Sequence, residues 1–274
     1  MTAPRVHHLD AGTMCPAPGR LVGGGAWLGR GRMVCHCLVV ETARDGLIVV
    51  DTGFGTRECE APSLLPRAFR ALTAPRLDVE QCVVRQLAGL GFGADDVRHV
   101  IVTHLDVDHA GGLPDFPRAT VHLHRRELDA ATARATVKER SRYLPHQWAH
   151  GPRWAAYQED GDTWLGLPAV RKLDGVDADV ALVPLHGHTR GHSAVVVAGG
   201  DGWLLHAGDA YFHHRELERA EDGPLGLRLF QAAVQMDGRA RVASADALRR
   251  LHAEHPEVTL MSAHDPVELE RGGS

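Results

Sequence analysis

The chain has 274 residues, 44% of them hydrophobic and 24% charged, with a formal net charge of −5. That length buries a sizeable core, the composition is ordinary for a globular protein, and a net negative charge with only short, acid-flanked basic runs argues against a nucleic-acid surface. No apolar run approaches a membrane span, the first ten residues lack the apolar core of a secretory signal, and five cysteines without a CxxC pair point to free thiols in a reducing cytoplasm.

The N-terminal part reads as β-structure. Two apolar runs, Val34 to Val40 and Leu47 to Val50, are parted by a polar turn and suggest a hairpin that stops at Asp51-Thr52-Gly53. Asp78 is a good N-cap with Gln81 three positions on, and Val79, Cys82, Val83, Leu87 and Leu90 repeat at helical spacing up to Gly91. Val97 to Val102 is a strand, Thr120 to Leu123 another, and Arg125 to Ala135 a helix. Residues 136–172 look irregular and carry five aromatics, Tyr143, Trp148, Trp154, Tyr157 and Trp164, which either pack a long loop onto the body or line an apolar pocket. Strands follow at Val180 to Leu185, Ala194 to Ala198 and Trp203 to His206. Ser244 is placed to cap a helix carrying Ala247, Leu248 and Leu251, and Val258 to Met261 is the last strand. The order implies sheets covered by helices within one domain spanning 1–274, with 136–172 as an insert.

Histidine is the unusual residue: there are 19. His104, Asp106, Asp108 and His109 lie within six residues directly after an apolar strand, where a rigid scaffold presents functional groups. Alternation in an extended loop would send His104, Asp106 and Asp108 to one side, and Gly111-Gly112 lets the backbone turn afterwards. Further His or Asp residues close three other apolar strands: His186, His188 and His192 after the strand at 180, Asp209 after the strand at 203, and His264 after the strand at 258. Imidazole with carboxylate suits zinc, iron or manganese. Cys35-His36-Cys37 alternates within a strand and reads as buried thiols; His7-His8 and His213-His214 read as exposed pairs.

This set resembles the metallo-β-lactamase superfamily, in the run Thr103-His104-Leu105-Asp106-Val107-Asp108-His109-Ala110-Gly111-Gly112, the run Gly187-His188-Thr189-Arg190-Gly191-His192, and the late Asp209 and His264. The spacing and the opening Gly12-Thr13-Met14-Cys15-Pro16 look most like the N-acyl-homoserine lactonase branch, whose activity is quorum quenching. The resemblance implies an α/β (α+β) fold, the αββα sandwich. It implies two divalent metals, zinc first and iron or manganese as alternatives. His104, Asp106 and His188 would hold one, Asp108, His109 and His264 the other, and Asp209 would bridge. His192 is expected to be structural and His186 near the site. Asp51 is expected to order its own loop, and Tyr211 does not match the branch's catalytic tyrosine cleanly.

The implied activity is hydrolysis of a lactone or related ester by metal-bound hydroxide, with Asp108 or Asp209 as proton shuttle. The partner is a small-molecule substrate, with no nucleic acid and no membrane. A glyoxalase-II-like thioesterase and a mononuclear iron oxidoreductase of the persulfide dioxygenase kind are the rivals. The departure is Asp106, where the family pattern has His. A harder, anionic ligand is expected to shift the first position from zinc towards manganese or iron.

Overall fold

Side chains along a strand alternate between two faces, and in this chain both faces are buried. Leu47 and Val49 of one strand join one apolar cluster while Ile48 and Val50 join another. This doubling generates the layered architecture of the computed structural model, which describes residues 4–23, 29–170, 173–199 and 202–273.

The strands are β1 Arg5–Met14, β2 Met33–Glu41, β3 Leu47–Val50, β4 Pro75–Arg76, β5 Val97–Ile101, β6 Thr120–His124, β7 Arg153–Tyr157, β8 Thr163–Trp164, β9 Leu167–Pro168, β10 Val180–Pro184, β11 Ser193–Gly199, β12 Gly202–His206 and β13 Val258–Met261. One sheet has the order β4-β1-β2-β3-β5-β6-β7, a second β10-β11-β12-β13, and β8-β9 form a ribbon. The helices are α1 Thr56–Glu60, α2 Arg67–Thr73, α3 Val83–Gly89, α4 Val107–Ala110, α5 Arg125–Ala133, α6 Val137–Arg142, α7 Leu225–Val234, α8 Gly238–Glu254 and α9 Pro266–Gly272.

The sheets meet through Leu38, Val40, Ile48, Val50 and Ile101 against Leu182, Val195, Val197 and Met261. The other face of the large sheet packs Val39, Val49, Val100 and Val121 on Val83, Leu87 and Ala130 of the helices. The other face of the small sheet packs Ala181, Val183, Val196 and Leu205 on Leu248 and Leu251 of α8. The result is helix, sheet, sheet, helix, as the resemblance implies.

Strand direction places the site. β10 is antiparallel to β11, β11 is antiparallel to β12, and β12 is parallel to β13. β10, β12 and β13 therefore run the same way, and their C-terminal ends share one edge. A backbone bond from Ser193 N–H to the Thr103 carbonyl (3.0 Å) joins that edge to the loop after β5, and one from His36 N–H to the Ala263 carbonyl (2.8 Å) joins it to β2. Among the described residues no helix is long and apolar enough to cross a membrane.

Three sequence expectations change. Asp78 caps only a 3-10 turn at Val79–Gln81. The Gln86 side-chain amide takes the Gln81 carbonyl at 2.7 Å, so the α-helix starts afresh at Val83 with Cys82 as N-cap. Ser244 is not a cap: α8 begins seven residues earlier, where the Asp237 carboxylate accepts from the N–H groups of Arg239 and Ala240, and the Ser244 hydroxyl donates to the His186 carbonyl at 2.8 Å. The segment 136–172, whose last two residues lie outside those described, is not irregular throughout. Residues Arg153–Tyr157 pair in parallel with β6 and extend the large sheet.

Candidate metal centre

Four loops that end β5, β10, β12 and β13 bring His104, Asp108, His109, His188, Asp209 and His264 to the common edge. The first is not fully extended. Asp106 is extended, but Val107–Ala110 closes a helical turn with Asp106 as its N-cap, which carries Asp108 and His109 round towards the same centre. Gly187 has φ +129 and its Cα faces the Arg241 backbone, so the turn before His188 is open only to glycine.

The side chains form two groups. In the first, His188 Nε2 lies 3.3 Å and His104 Nε2 4.0 Å from Asp209 Oδ2. In the second, His109 Nε2 and His264 Nε2 lie 3.2 and 3.0 Å from Asp209 Oδ1, and 3.9 and 3.6 Å from Asp108 Oδ2. Ligand atoms at the corners of a tetrahedron around zinc are about 3.3–3.6 Å apart. Both groups thus have the donor types and spacing that a divalent metal takes, and the two oxygens of Asp209 serve one group each.

The outward-facing atoms agree. His109 Nδ1 donates to Asp51 Oδ2 at 2.8 Å, and His264 Nδ1 donates to the Val34 carbonyl at 2.8 Å. His104 Nδ1 is 3.0 Å from the Thr103 hydroxyl, which itself donates to Asp51 Oδ2 at 2.8 Å. Protons held outside leave the Nε2 lone pairs facing inward, the arrangement that metal-binding imidazoles need. His104 Nε2, His109 Nε2 and Asp209 Oδ1 are buried with no hydrogen-bond partner, which is costly unless a further group satisfies them. Burial and the neighbouring His109 push the His104 imidazole down to about 4. Burial opposes charge on His109 too, but Asp209, Asp51 and Asp108 outweigh it and hold its value well above normal. The cluster is a concentration of negative charge that favours cations.

The sequence suggests that Asp51 orders its own loop, but among the described residues its carboxylate is bonded to the loop after β5, through the Thr103 hydroxyl and His109 Nδ1. Its carboxylate also accepts from Thr103 N–H at 2.7 Å, reaching across 52 positions to the loop that carries His104 and His109. Two residues here have no signal in the sequence. Glu127 of α5 is buried and ties the loops that carry His104 and His188 together, accepting from Leu105 N–H (3.0 Å), the Thr189 hydroxyl (2.7 Å) and Gly191 N–H (3.0 Å). Arg142, at the end of α6, donates to Asp106 Oδ2 at 2.9 Å. Asp106 Oδ2 also lies 3.1 Å from His188 Nε2 and 3.4 Å from His104 Nε2.

Other candidates fall outside. His192 is structural: its Nδ1 donates to the Leu185 carbonyl and its Nε2 accepts from Asp209 N–H at 2.9 Å. His186 sits apart with His124 and Glu159. There His124 Nδ1 accepts from Arg126 N–H, so its proton is on Nε2 and is shared with Glu159 at 3.2 Å. Tyr211 is buried with its hydroxyl donating to Glu268, away from the cleft. His213 and His214 are half-buried rather than exposed, with His214 Nδ1 against Asp265 at 2.7 Å. His7 and His8 are likewise half-buried, His7 against Glu41 and His8 against His36. Cys35 and Cys37 are buried core thiols.

Above the two groups opens a cleft of about 220 Å³, walled by Met14, Met33, Phe69, Leu144, Phe230 and Val234. None of the five aromatics of 136–172 lines it. Tyr143 and Trp164 are buried in the body, while Trp148 and Trp154 pack on the core.

Comparison with known proteins gives the family and the fold. The family model for the metallo-beta-lactamase superfamily matches residues 30–254. A probable metallo-hydrolase of Mycobacterium tuberculosis is 37% identical over 263 residues, covering 96% of this chain and 80% of its own. An N-acyl homoserine lactonase of Bacillus thuringiensis is 30% identical over 130 residues, covering 47% of this chain and 48% of its own. A solved N-acyl homoserine lactone hydrolase, with its product N-hexanoyl-L-homoserine at the catalytic metal centre, superposes with TM-score 0.72 at 21% identity over 99% of this chain and 97% of that one. The chain belongs to the metallo-beta-lactamase superfamily and is an enzyme of its metallo-hydrolase class.

Proposed function

We propose that the protein is a two-metal hydrolase of lactones or closely related small esters, acting in the cytoplasm. The observation that carries this reading is the pair of buried His/Asp groups joined through the two oxygens of Asp209 beneath an apolar cleft. In it, His104, Asp106 and His188 would hold one metal and Asp108, His109 and His264 the other, with Asp209 offering one oxygen to each. Zinc is the expected metal, with manganese or iron as alternatives. Bound there, divalent ions bring the pKa of water near neutrality and polarise an ester carbonyl.

The chain's own residues do the rest. Asp51 and the Val34 carbonyl hold the imidazole tautomers. Met14, Met33, Phe69 and Phe230 offer an acyl chain an apolar bed and keep bulk water out. Asp108, on the cleft floor, takes a proton from the attacking water and passes it to the alkoxide released on ring opening. Likeness to proteins named as N-acyl homoserine lactonases favours a lactone, and five free thiols suit a reducing compartment.

The test is elemental analysis followed by turnover of a lactone, a linear ester and a thioester bearing the same acyl chain. About two metals per chain and fastest turnover of the lactone are expected. Asp209→Ala should abolish turnover and leave the far-UV circular dichroism spectrum unchanged. A tenfold preference for the thioester would replace this reading with a thioesterase, and one iron per chain without hydrolysis would replace it with an oxidoreductase.

A further inference from the structure

Arg142 ends α6 with its side chain folded into the cleft wall, only 8% exposed. One arm of the guanidinium donates to Asp106 Oδ2 at 2.9 Å and reaches the His188 carbonyl at 3.4 Å. The other arm donates to the Val234 carbonyl at the end of α7. Lys138, one turn earlier, donates to the Ala233 and Gln235 carbonyls. Two cations of α6 therefore clamp the negative end of α7, and one of them continues to Asp106.

A carboxylate oxygen has two in-plane lone pairs. Asp106 Oδ2 turns one towards Arg142, and it also lies within 3.4 Å of two inward-facing imidazole nitrogens, His188 Nε2 and His104 Nε2. Asp106 Oδ1 is buried without a hydrogen-bond partner. Arginine does not lose its proton in proteins, so Arg142 contributes a fixed positive charge beside a site of concentrated negative charge.

We propose that Arg142 is a positioning residue of the first metal site, aiming Asp106 Oδ2 at the space between His104 and His188 and cancelling its charge, so that Asp106 and Arg142 together fill the place of one neutral imidazole. This rests on the metal-hydrolase reading above. It reverses the expectation drawn from the sequence, that imidazole at position 106 would favour zinc. With Arg142 in place, Asp106→His leaves a guanidinium beside the first metal position without the carboxylate it donates to. Imidazole becomes a good ligand only once the guanidinium is also removed.

The experiment is a chelator-competition zinc titration, at one pH, of the natural protein, Asp106→His, Arg142→Met, Asp106→His/Arg142→Met and Asp106→His/Arg142→Lys, with thermal melts of each. His109→Ala, at the other metal position, reports on the metal reading itself. Asp106→His is expected to bind its first-position zinc at least tenfold more weakly than Asp106→His/Arg142→Met, and the four-member cycle should be non-additive by at least tenfold. The lysine double variant, which keeps the charge, should stay weak. If Asp106→His folds only when Arg142→Met accompanies it, the same coupling is shown through stability. Asp106→His tightening zinc as much as the methionine double variant, rescue by lysine equal to that by methionine, or affinities that multiply within twofold would each overturn the inference. If zinc uptake falls in His109→Ala but the cycle is additive, this inference alone fails. If the natural protein takes up no zinc and His109→Ala does not differ, the metal reading fails with it.

Discussion

Asp51→Asn isolates the contribution of an outer carboxylate. Asp51 has φ +54, a left-handed conformation that asparagine tolerates nearly as well as glycine, so the substitution keeps the backbone and changes one oxygen to an amide. In the natural protein Oδ1 accepts from Thr103 N–H at 2.7 Å, and Oδ2 accepts from the Thr103 hydroxyl and His109 Nδ1, both at 2.8 Å. Asparagine keeps an acceptor for the Thr103 amide, but its NH2 then faces two donors. His109 relieves the clash only by moving its proton to Nε2, the atom that faces Asp209 and Asp108. Two charge-assisted bonds at about 1.5 kcal/mol each put the stability cost near 3 kcal/mol. Loss of the oriented tautomer should weaken metal binding about 10–100-fold. Chelator competition measures the second quantity and a urea melt with chelator present measures the first. Metal affinity within twofold of the natural protein would show that Asp51 does not set the His109 tautomer.

Two further predictions concern Glu268 and Gly187, both buried. Burial, only partly offset by Ser262 N–H, lifts the Glu268 carboxyl to about 8 from its ordinary 4.5. Between those values the folded state holds the extra proton, so this group's contribution to stability is present below about pH 4.5 and is lost as pH rises through 8. The loss has a ceiling of about 5 kcal/mol. Glu268→Gln should remove that slope, and a difference in melting temperature between variant and natural protein that is equal at pH 5 and pH 8 would refute this. Gly187→Ala should displace His188, since a Cβ there collides with the Arg241 backbone at an already left-handed φ. Metal content at the first position should fall at least tenfold, read by elemental analysis, and an unchanged content would refute the steric argument.

The sequence by itself was enough to name the residues that converge on the cleft and, through the family its motifs resemble, the sandwich. His104, Asp108, His109, His188, Asp209 and His264 each follow an apolar strand, and such loops can serve only a few places on a layered fold. Runs such as Leu47 to Val50, apolar at every position, imply strands covered on both faces, and the structure divides them between two clusters. Sequence also flagged Asp106 as unusual. It could not supply the partner, because Arg142 is 36 positions away at the end of a short helix and looks like any solvated arginine. Glu127 was hidden in the same way, a helix acid that becomes a cross-link only when the loops at 105 and 189 close over it. The aromatic stretch left packing onto the body and lining a pocket both open, because hydrophobicity says that a side chain will be buried and not which cavity it borders; the structure takes the packing. The cleft wall comes instead from Met14, Met33, Phe69 and Phe230, distant in sequence. The donor types a metal would need are local chemistry written at strand ends, whereas charge compensation, tautomer control and cleft shape depend on contacts between distant segments, which only the packing of the two sheets and their helices creates.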